Sequence, residues 1–282
     1  MQASNYPTSL SDAQWALVEP LMPRPKRTGR PREVELRLVF DTILYVLRAG
    51  CQWNMIPNDL AKRSSANDYF VAWRDDGTWQ RMLDALRRQA RTAEGRDPAP
   101  AKAAIDTQTV KCSEAGGPRG YDGGKKTKGR KRHLLVDSLG ILLCVLVTAA
   151  NVDDGTHAPH LLARLTHEQS RRLDEVRGDG KYNNHALRDW VREQKVAYKL
   201  TVVERPADAR GFVLLPYRWV VERTNAWMGK YRRNSKDYER SCASSESWLR
   251  AAAIHRLLNR LAPPDRPANP FNYRRKAQQI AT

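Results

Sequence analysis

The run His133-Leu-Leu-Val-Asp-Ser-Leu-Gly-Ile-Leu-Leu-Cys-Val-Leu-Val-Thr148 decides the fold. Two apolar stretches, His133–Val136 and Ile141–Thr148, flank Asp137-Ser-Leu-Gly140, an arrangement that predicts a β-hairpin. Working outward, Ala103–Val110 predicts a short strand upstream. Residues 116–132, GGPRGYDGGKKTKGRKR, hold almost nothing apolar and predict a flexible loop. Beyond the hairpin the chain alternates, with a helix over 158–165, a strand over 175–179, a helix over 184–194 and a strand over 197–202. Two helices follow, over 213–230 with Pro216 in its first turn and over 244–261 with Leu249, Ile254, Leu257, Leu258 and Leu261 on its apolar face. Strands first, then alternation, then helices give an α/β fold, a mixed sheet with helices on both faces.

Ahead of the linker-like EGRDPAPAK at 94–102 only helices are predicted. Ser11 and Gln14 form a capping box before Trp15, Val18 and Leu21, and Pro20 and Pro23 end that helix. A longer helix runs from Pro31 to Ala49 and stops at Gly50; Val34, Leu38, Val39, Ile43, Val46 and Leu47 make its apolar face. Others cover 66–74 and 79–91, with Trp73 and Trp79 read as core. The division is an all-α N-terminal domain of helix-turn-helix type over 1–95, an α/β domain over 96–263, and a basic tail over 264–282.

The 282 residues carry 49 Lys+Arg against 31 Asp+Glu, a formal charge of +18, and the cations are clustered. A chain this basic points to a polyanion, and no basic amphipathic helix points to a membrane instead. The longest apolar run, Ile141–Ala150, is too short to span a bilayer, and MQASNYPTSL lacks the features of a signal peptide. Cys51, Cys112, Cys144 and Cys242 are far apart, as reduced thiols of a cytoplasmic protein, with no zinc site expected.

Phosphodiester chemistry is served by two hard cations about 3.5–4 Å apart, held by carboxylates from rigid elements that lie far apart in sequence. Three residues meet that description. Asp106 ends the lead-in Ala103-Ala-Ile105 on the first strand; Asp179 sits between glycines in Arg177-Gly-Asp-Gly-Lys-Tyr182; Glu222 sits in the aromatic-rich helix Tyr217-Arg-Trp-Val-Val-Glu-Arg223, where Trp219, Val220, Trp227 and Met228 would pack on the sheet and Glu222 would point inward from its rim. Singly, each also reads as a turn former, a cap or a surface ion-pair residue.

The segments Ala104-Ile-Asp-Thr-Gln-Thr-Val110, Gly129-Arg-Lys-Arg-His-Leu-Leu-Val-Asp137, Gly178-Asp-Gly-Lys-Tyr182 and Arg218-Trp-Val-Val-Glu-Arg-Thr-Asn-Ala-Trp227 resemble the signature segments of DDE transposases of bacterial insertion sequences, the fifth family in particular. Asp237-Tyr-Glu-Arg240, Leu17–Pro23, Gly29-Arg-Pro31 and Arg48-Ala-Gly-Cys-Gln-Trp-Asn54 extend the resemblance over nearly the whole chain. It implies an RNase H-like catalytic domain. Asp106, Asp179 and Glu222 would be ligands for Mg²⁺, two ions per site, with Mn²⁺ as a substitute. It also implies cleavage at the element's terminal inverted repeats and strand transfer into target DNA, by a homodimer or higher assembly in the bacterial cytoplasm, on the nucleoid when bound. In the related Tyr–Arg–Glu–Lys signature, Arg218 and Glu222 fit, while Leu215 and Gly229 stand in the Tyr and Lys slots, with Tyr217 and Lys230 nearby. An RNase H-like nuclease without strand transfer and a non-catalytic DNA-binding repressor are the alternatives.

The DNA-contact candidates fall in three groups. Lys125, Lys126, Lys128, Arg130, Lys131, Arg132 and His133 form a run beside the hairpin; Arg218, Arg223, Lys230, Arg232 and Arg233 lie on and after the Glu222 helix; Arg27, Arg30 and Arg32 surround a Gly-Arg-Pro like that of a minor-groove-binding hook.

Overall fold

A computed structural model describes residues 6–25, 33–194, 196–203 and 218–264. The helical first third comprises α1 (Asp12–Val18), α2 (Leu36–Ala49), α3 (Arg63–Asp75) and α4 (Thr78–Ala93). Then come β1 (Lys102–Lys111), β2 (Gly120–Asp122), β3 (Thr127–Asp137), β4 (Leu142–Ala149), α5 (Asp154–Leu162), α6 (His167–Ser170), β5 (Glu175–Gly178), α7 (His185–Glu193), β6 (Lys199–Val202), α8 (Arg218–Gly229) and α9 (Cys242–Leu261). The Ser11–Gln14 capping box starts α1, Gly50 at φ +70° ends α2, and all four cysteines are free. Residue Leu36 begins α2, after Glu35 in extended conformation, rather than Pro31, which lies outside the described residues. The start expected for the Glu222 helix, at 213–217, and the tail from 265 also lie outside them.

Strand β3 pairs antiparallel with β1 from Ala103↔Asp137 to Lys111↔Gly129. Its other edge is shared between β2, at Thr127–Gly129, and β4, at Arg130–Val136. On the far side of β1, β5 and then β6 continue the sheet in parallel. An antiparallel β4-β3-β1 run prolonged by two parallel strands is the mixed, RNase H-like sheet, with helices on both faces.

Period-two alternation sorts the side chains into two cores. Ala104, Leu134, Val136, Leu142, Val145 and Val147 face α8, α9 and the helices α1–α4 in one continuous apolar cluster. Ala103, Ile105, Leu135, Leu143 and Cys144 face α5 and Leu187 of α7 in the other. Trp73 and Trp79 are buried in the first cluster, 5.3 Å apart edge to face. The helical third thus shares its core with the sheet.

Of the loop expected over 116–132, residues 120–122 and 127–132 are instead β2 and the first half of β3, while 116–119 and 123–126 lie outside the strands. Composition suggested solvent there; in the fold, the basic side chains of β3 find carboxylates and carbonyls on both faces of the sheet. Helix α5 starts at Asp154, four residues earlier than expected, because Asp153 caps it by accepting from the Thr156 amide.

A buried ion pair joins the helical third to the hairpin. Arg91 Nη1 of α4 lies 2.6 Å from Asp137 Oδ2, and the two side chains are 5% and 0% exposed. The other oxygen of Asp137 accepts from the Leu139 and Ile141 amides at 2.9 Å each, closing the hairpin turn. Removing one partner of such a pair leaves a buried charge uncompensated, so Asp137→Ala should cost about 3–5 kcal/mol in urea unfolding. Adding Arg91→Met to it should cost much less than the sum of the single changes. Additive costs would show that the pair is not coupled.

Candidate active site

Parallel β1 and β5 bring two of the three predicted carboxylates together. Their register runs to Ala104↔Arg177; two residues further on it sets Asp106 beside Asp179. By alternation both lie on the face of Ala104, the face against which α8 packs. Asp179 follows the end of β5 and caps a 3-10 turn, its Oδ1 accepting from the Lys181 amide at 3.0 Å. Gly178 is needed for space: a Cβ there would stand 2.5 Å from the ring of Tyr182, which is buried beneath the strand end. Burial first, then the charges of Asp106, Asp154 and Asp179, push the Tyr182 phenol well above its ordinary range.

Glu222 is placed differently from the expectation. Val220, Val221, Thr224 and Met228 form the buried face of α8, and Glu222 is on the exposed side rather than pointing inward. Trp219, expected to pack on the sheet, is 39% exposed. Among the described residues no three His, Cys, Asp or Glu lie close enough to share an ion. The structure therefore sets Asp106 beside Asp179 and leaves Glu222 on the exposed side of the helix that packs on their face. The donor chemistry, two hard carboxylates on one face, suits a hard divalent cation.

On the opposite face lies a polar cluster that the sequence reading missed. Asp154 is 2.6 Å from Lys131 Nζ through Oδ1, and its Oδ2 accepts from Lys181 Nζ at 2.9 Å and the Thr107 hydroxyl at 2.8 Å. Burial raises the Asp154 carboxyl, but the bonds from Lys131, Lys181 and Thr107 outweigh it and hold it at about 2. His133 is 1% exposed and bonded to Thr148 at 2.9 Å; burial lowers it to about 4 against the opposing pull of Asp154. Lys181 links the two faces, with its amide on Asp179 and its ammonium on Asp154. The findable signal was Asp153-Asp154-Gly-Thr156, a helix-start pattern.

The expected DNA contacts divide sharply. Arg130, Lys131, Arg132 and His133 are buried in β3, not displayed to solvent. Arg130 bonds Asp237 and Ser245 at 3.0 Å and the carbonyls of Pro118 and Arg240 at 2.8 Å. Arg132 donates to the Asn234 carbonyl at 2.9 Å, and burial lowers it to about 10. Arg233 is also committed, 2.6 Å from Glu239, and Arg223 stacks over Trp219 and Trp227 while donating to the Leu139 carbonyl at 3.2 Å. Lys125, Lys126, Lys128, Lys230 and Arg232 are exposed. Arg27, Arg30, Arg32 and the side chain of Arg218 lie outside the described residues.

The family model described as "Transposase DDE domain" matches residues 98–257, and that described as "Putative transposase of IS4/5 family" matches residues 10–83. Two proteins of Burkholderia cepacia are similar. "Putative transposase for insertion sequence element IS402" is 31% identical over 118 residues, 40% of this chain and 54% of that protein. "Insertion element IS402 uncharacterized 16.2 kDa protein" is 28% identical over 113 residues, 38% of this chain and 76% of that protein. The match to the first of these thus spans about half its length.

The two titrating groups of the polar cluster set a pH dependence of stability. His133 binds its proton near 6.5 when unfolded and near 4 when folded, so its contribution is lost as pH falls between those values. His157, also lowered by burial, adds to this window. Asp154 acts lower, between about 3.8 and about 2. Urea unfolding should show a loss on the order of 3 kcal/mol between pH 6.5 and 4, much reduced in His133→Gln. Equal slopes in the two proteins would rule His133 out as the cause.

Proposed function

Because the chain belongs to the transposases with a DDE domain, whose family model it matches over 98–257, we propose that it binds the terminal inverted repeats of an insertion sequence, cleaves the DNA ends and joins them to target DNA. One observation carries this reading: Asp106 and Asp179 stand side by side on the sheet face covered by α8, the helix that bears Glu222. Asp106, Asp179 and Glu222 would hold divalent ions, Mg²⁺ with Mn²⁺ as a substitute, which when bound stabilise charge on the attacking and leaving oxygens. The chain's own part is to fix the two aspartates by strand pairing and, through Lys181, to hold the turn that presents Asp179.

The reaction is two exchanges at phosphorus. Water forms a bond to phosphorus at the element end and the P–O3′ bond breaks, freeing a 3′-hydroxyl. That hydroxyl then forms a P–O bond in target DNA while the target's own P–O3′ bond breaks. Bond order is conserved in the joining step, so no side-chain nucleophile or energy source is required. The exposed Lys125, Lys126, Lys128, Lys230 and Arg232 supply phosphate contacts around the site. The helical part over 1–95 recognises the repeats, and two element ends call for at least two copies of the chain.

Incubation with labelled element ends, a target plasmid and Mg²⁺ should yield joined products. Nicks alone would mean a nuclease without strand transfer, and a mobility shift without cleavage would mean a repressor. Asp106→Ala, Asp179→Ala and Glu222→Ala should each slow cleavage by roughly a thousandfold or more while leaving duplex binding intact. Full cleavage by any one of them would remove that residue from the site.

A further inference from the structure

On the flank where α8 meets α9, cations gather around one indole. Arg256 of α9 lies 3.4 Å from the ring centroid of Trp227 and Arg223 of α8 lies 4.5 Å from it. Arg223 also covers the exposed Trp219, at 4.3 Å. Arg260, one turn beyond Arg256, is exposed and lies 2.7 Å from Glu94. Among the described residues neither Arg223 nor Arg256 is paired with a carboxylate. The Nε of Arg223 is buried without a partner. Beside these cations a cleft opens between the Leu139–Leu142 turn, Met228 and Leu257.

Internal packing does not account for this grouping. Two guanidiniums on one ring repel each other, which opposes the gain of the cation–π contacts. An anion would relieve the repulsion, and planar guanidiniums suit the oxygens of a phosphodiester. Arg223 directly follows Glu222 on α8, so the cluster and the proposed cut site share one helix.

We propose that Arg223, Arg256 and Arg260, set around Trp227, form a binding site for the phosphodiester backbone of duplex DNA on the α8–α9 flank. This rests on the reading of the chain as acting on DNA, and it adds Arg256, Arg260 and Trp227 to the surface.

The test is fluorescence anisotropy of the full chain with a labelled random-sequence duplex in EDTA, titrated at several KCl concentrations. Arg256→Gln should lower the slope of log Kd against log salt by about 1, and Arg223→Gln with Arg256→Gln by about 2. Arg256→Lys should recover most of the slope, and Arg192→Gln, on the exposed surface of α7, should leave it unchanged. Should Arg256→Gln fail to fold by circular dichroism, the exposed Arg260→Gln takes its place with the same expected loss of about 1. Wild-type slopes in these variants would overturn the site and leave the DNA reading standing. A wild-type chain that binds no duplex would overturn both. Equal slope losses in Arg192→Gln and Arg256→Gln would mean a general charge effect, and would also overturn the site.

Discussion

The structure depends on burying three cations and a histidine in succession along β3. Arg130, Lys131, Arg132 and His133 are each at most 5% exposed. A charge can leave water only where fixed partners replace the water, and alternation sends these side chains to opposite faces of the sheet. Arg130 and Arg132 meet Asp237, Asn234 and backbone carbonyls in the α8–α9 connection; Lys131 meets Asp154 at the start of α5. Asp237 is itself tied to the end of β1, its amide donating to the Lys111 carbonyl and its carbonyl accepting from Ser113. One strand thus fixes the layer on each face, and with them the elements around the site.

The position of β1 follows from this. It is held antiparallel by β3 from Ala103 to Lys111 and parallel by β5 from Lys102 to Ala104. A parallel neighbour lets two strands end on the same side of the sheet, and that is what puts Asp106 next to Asp179. Both carboxylates lie on one face of the sheet. Lys181 is the nearby ammonium, yet its hydrogen bond goes to Asp154, across the sheet. Asp154 therefore acts as a counter-charge that keeps Lys181 on its own side, leaving the aspartate face to Asp106 and Asp179.

What the sequence disclosed and what it hid have separate physical causes. The hairpin, the capping box of α1 and the stop at Gly50 are local: apolar spacing and a left-handed glycine are written in adjacent residues. Asp106 and Asp179 were legible for the same reason, as carboxylates at strand ends. The run at 130–133 was not, because its partners stand 12 to 115 residues away in sequence, at Pro118, Thr148, Val152, Asp154, Asn234, Asp237 and Ser245 among others, and no local pattern announces them. Composition counts such lysines and arginines as solvated; the fold makes them core. The placement of Glu222 was hidden too. A one-residue step around a helix is about 100°, so the choice of Val220, Val221, Thr224 and Met228 as the buried face decides which way Glu222 points.

The same sorting changes the meaning of the net charge. A formal +18 treats all cations alike, but an internal ion pair contributes little field outside the protein. Arg87, Arg91, Arg130, Lys131 and Arg233 have their charge answered by a nearby carboxylate. What remains to meet a polyanion is smaller and better placed. Lys125 sits at the turn between β2 and β3 with its ammonium on the Thr107 carbonyl, one residue from Asp106. Lys230 and Arg232 follow the helix of Glu222. Lys125 thus stays outside the core beside β1, and Lys230 and Arg232 stay outside it after α8, whereas Arg130, Lys131 and Arg132 serve to hold the sheet.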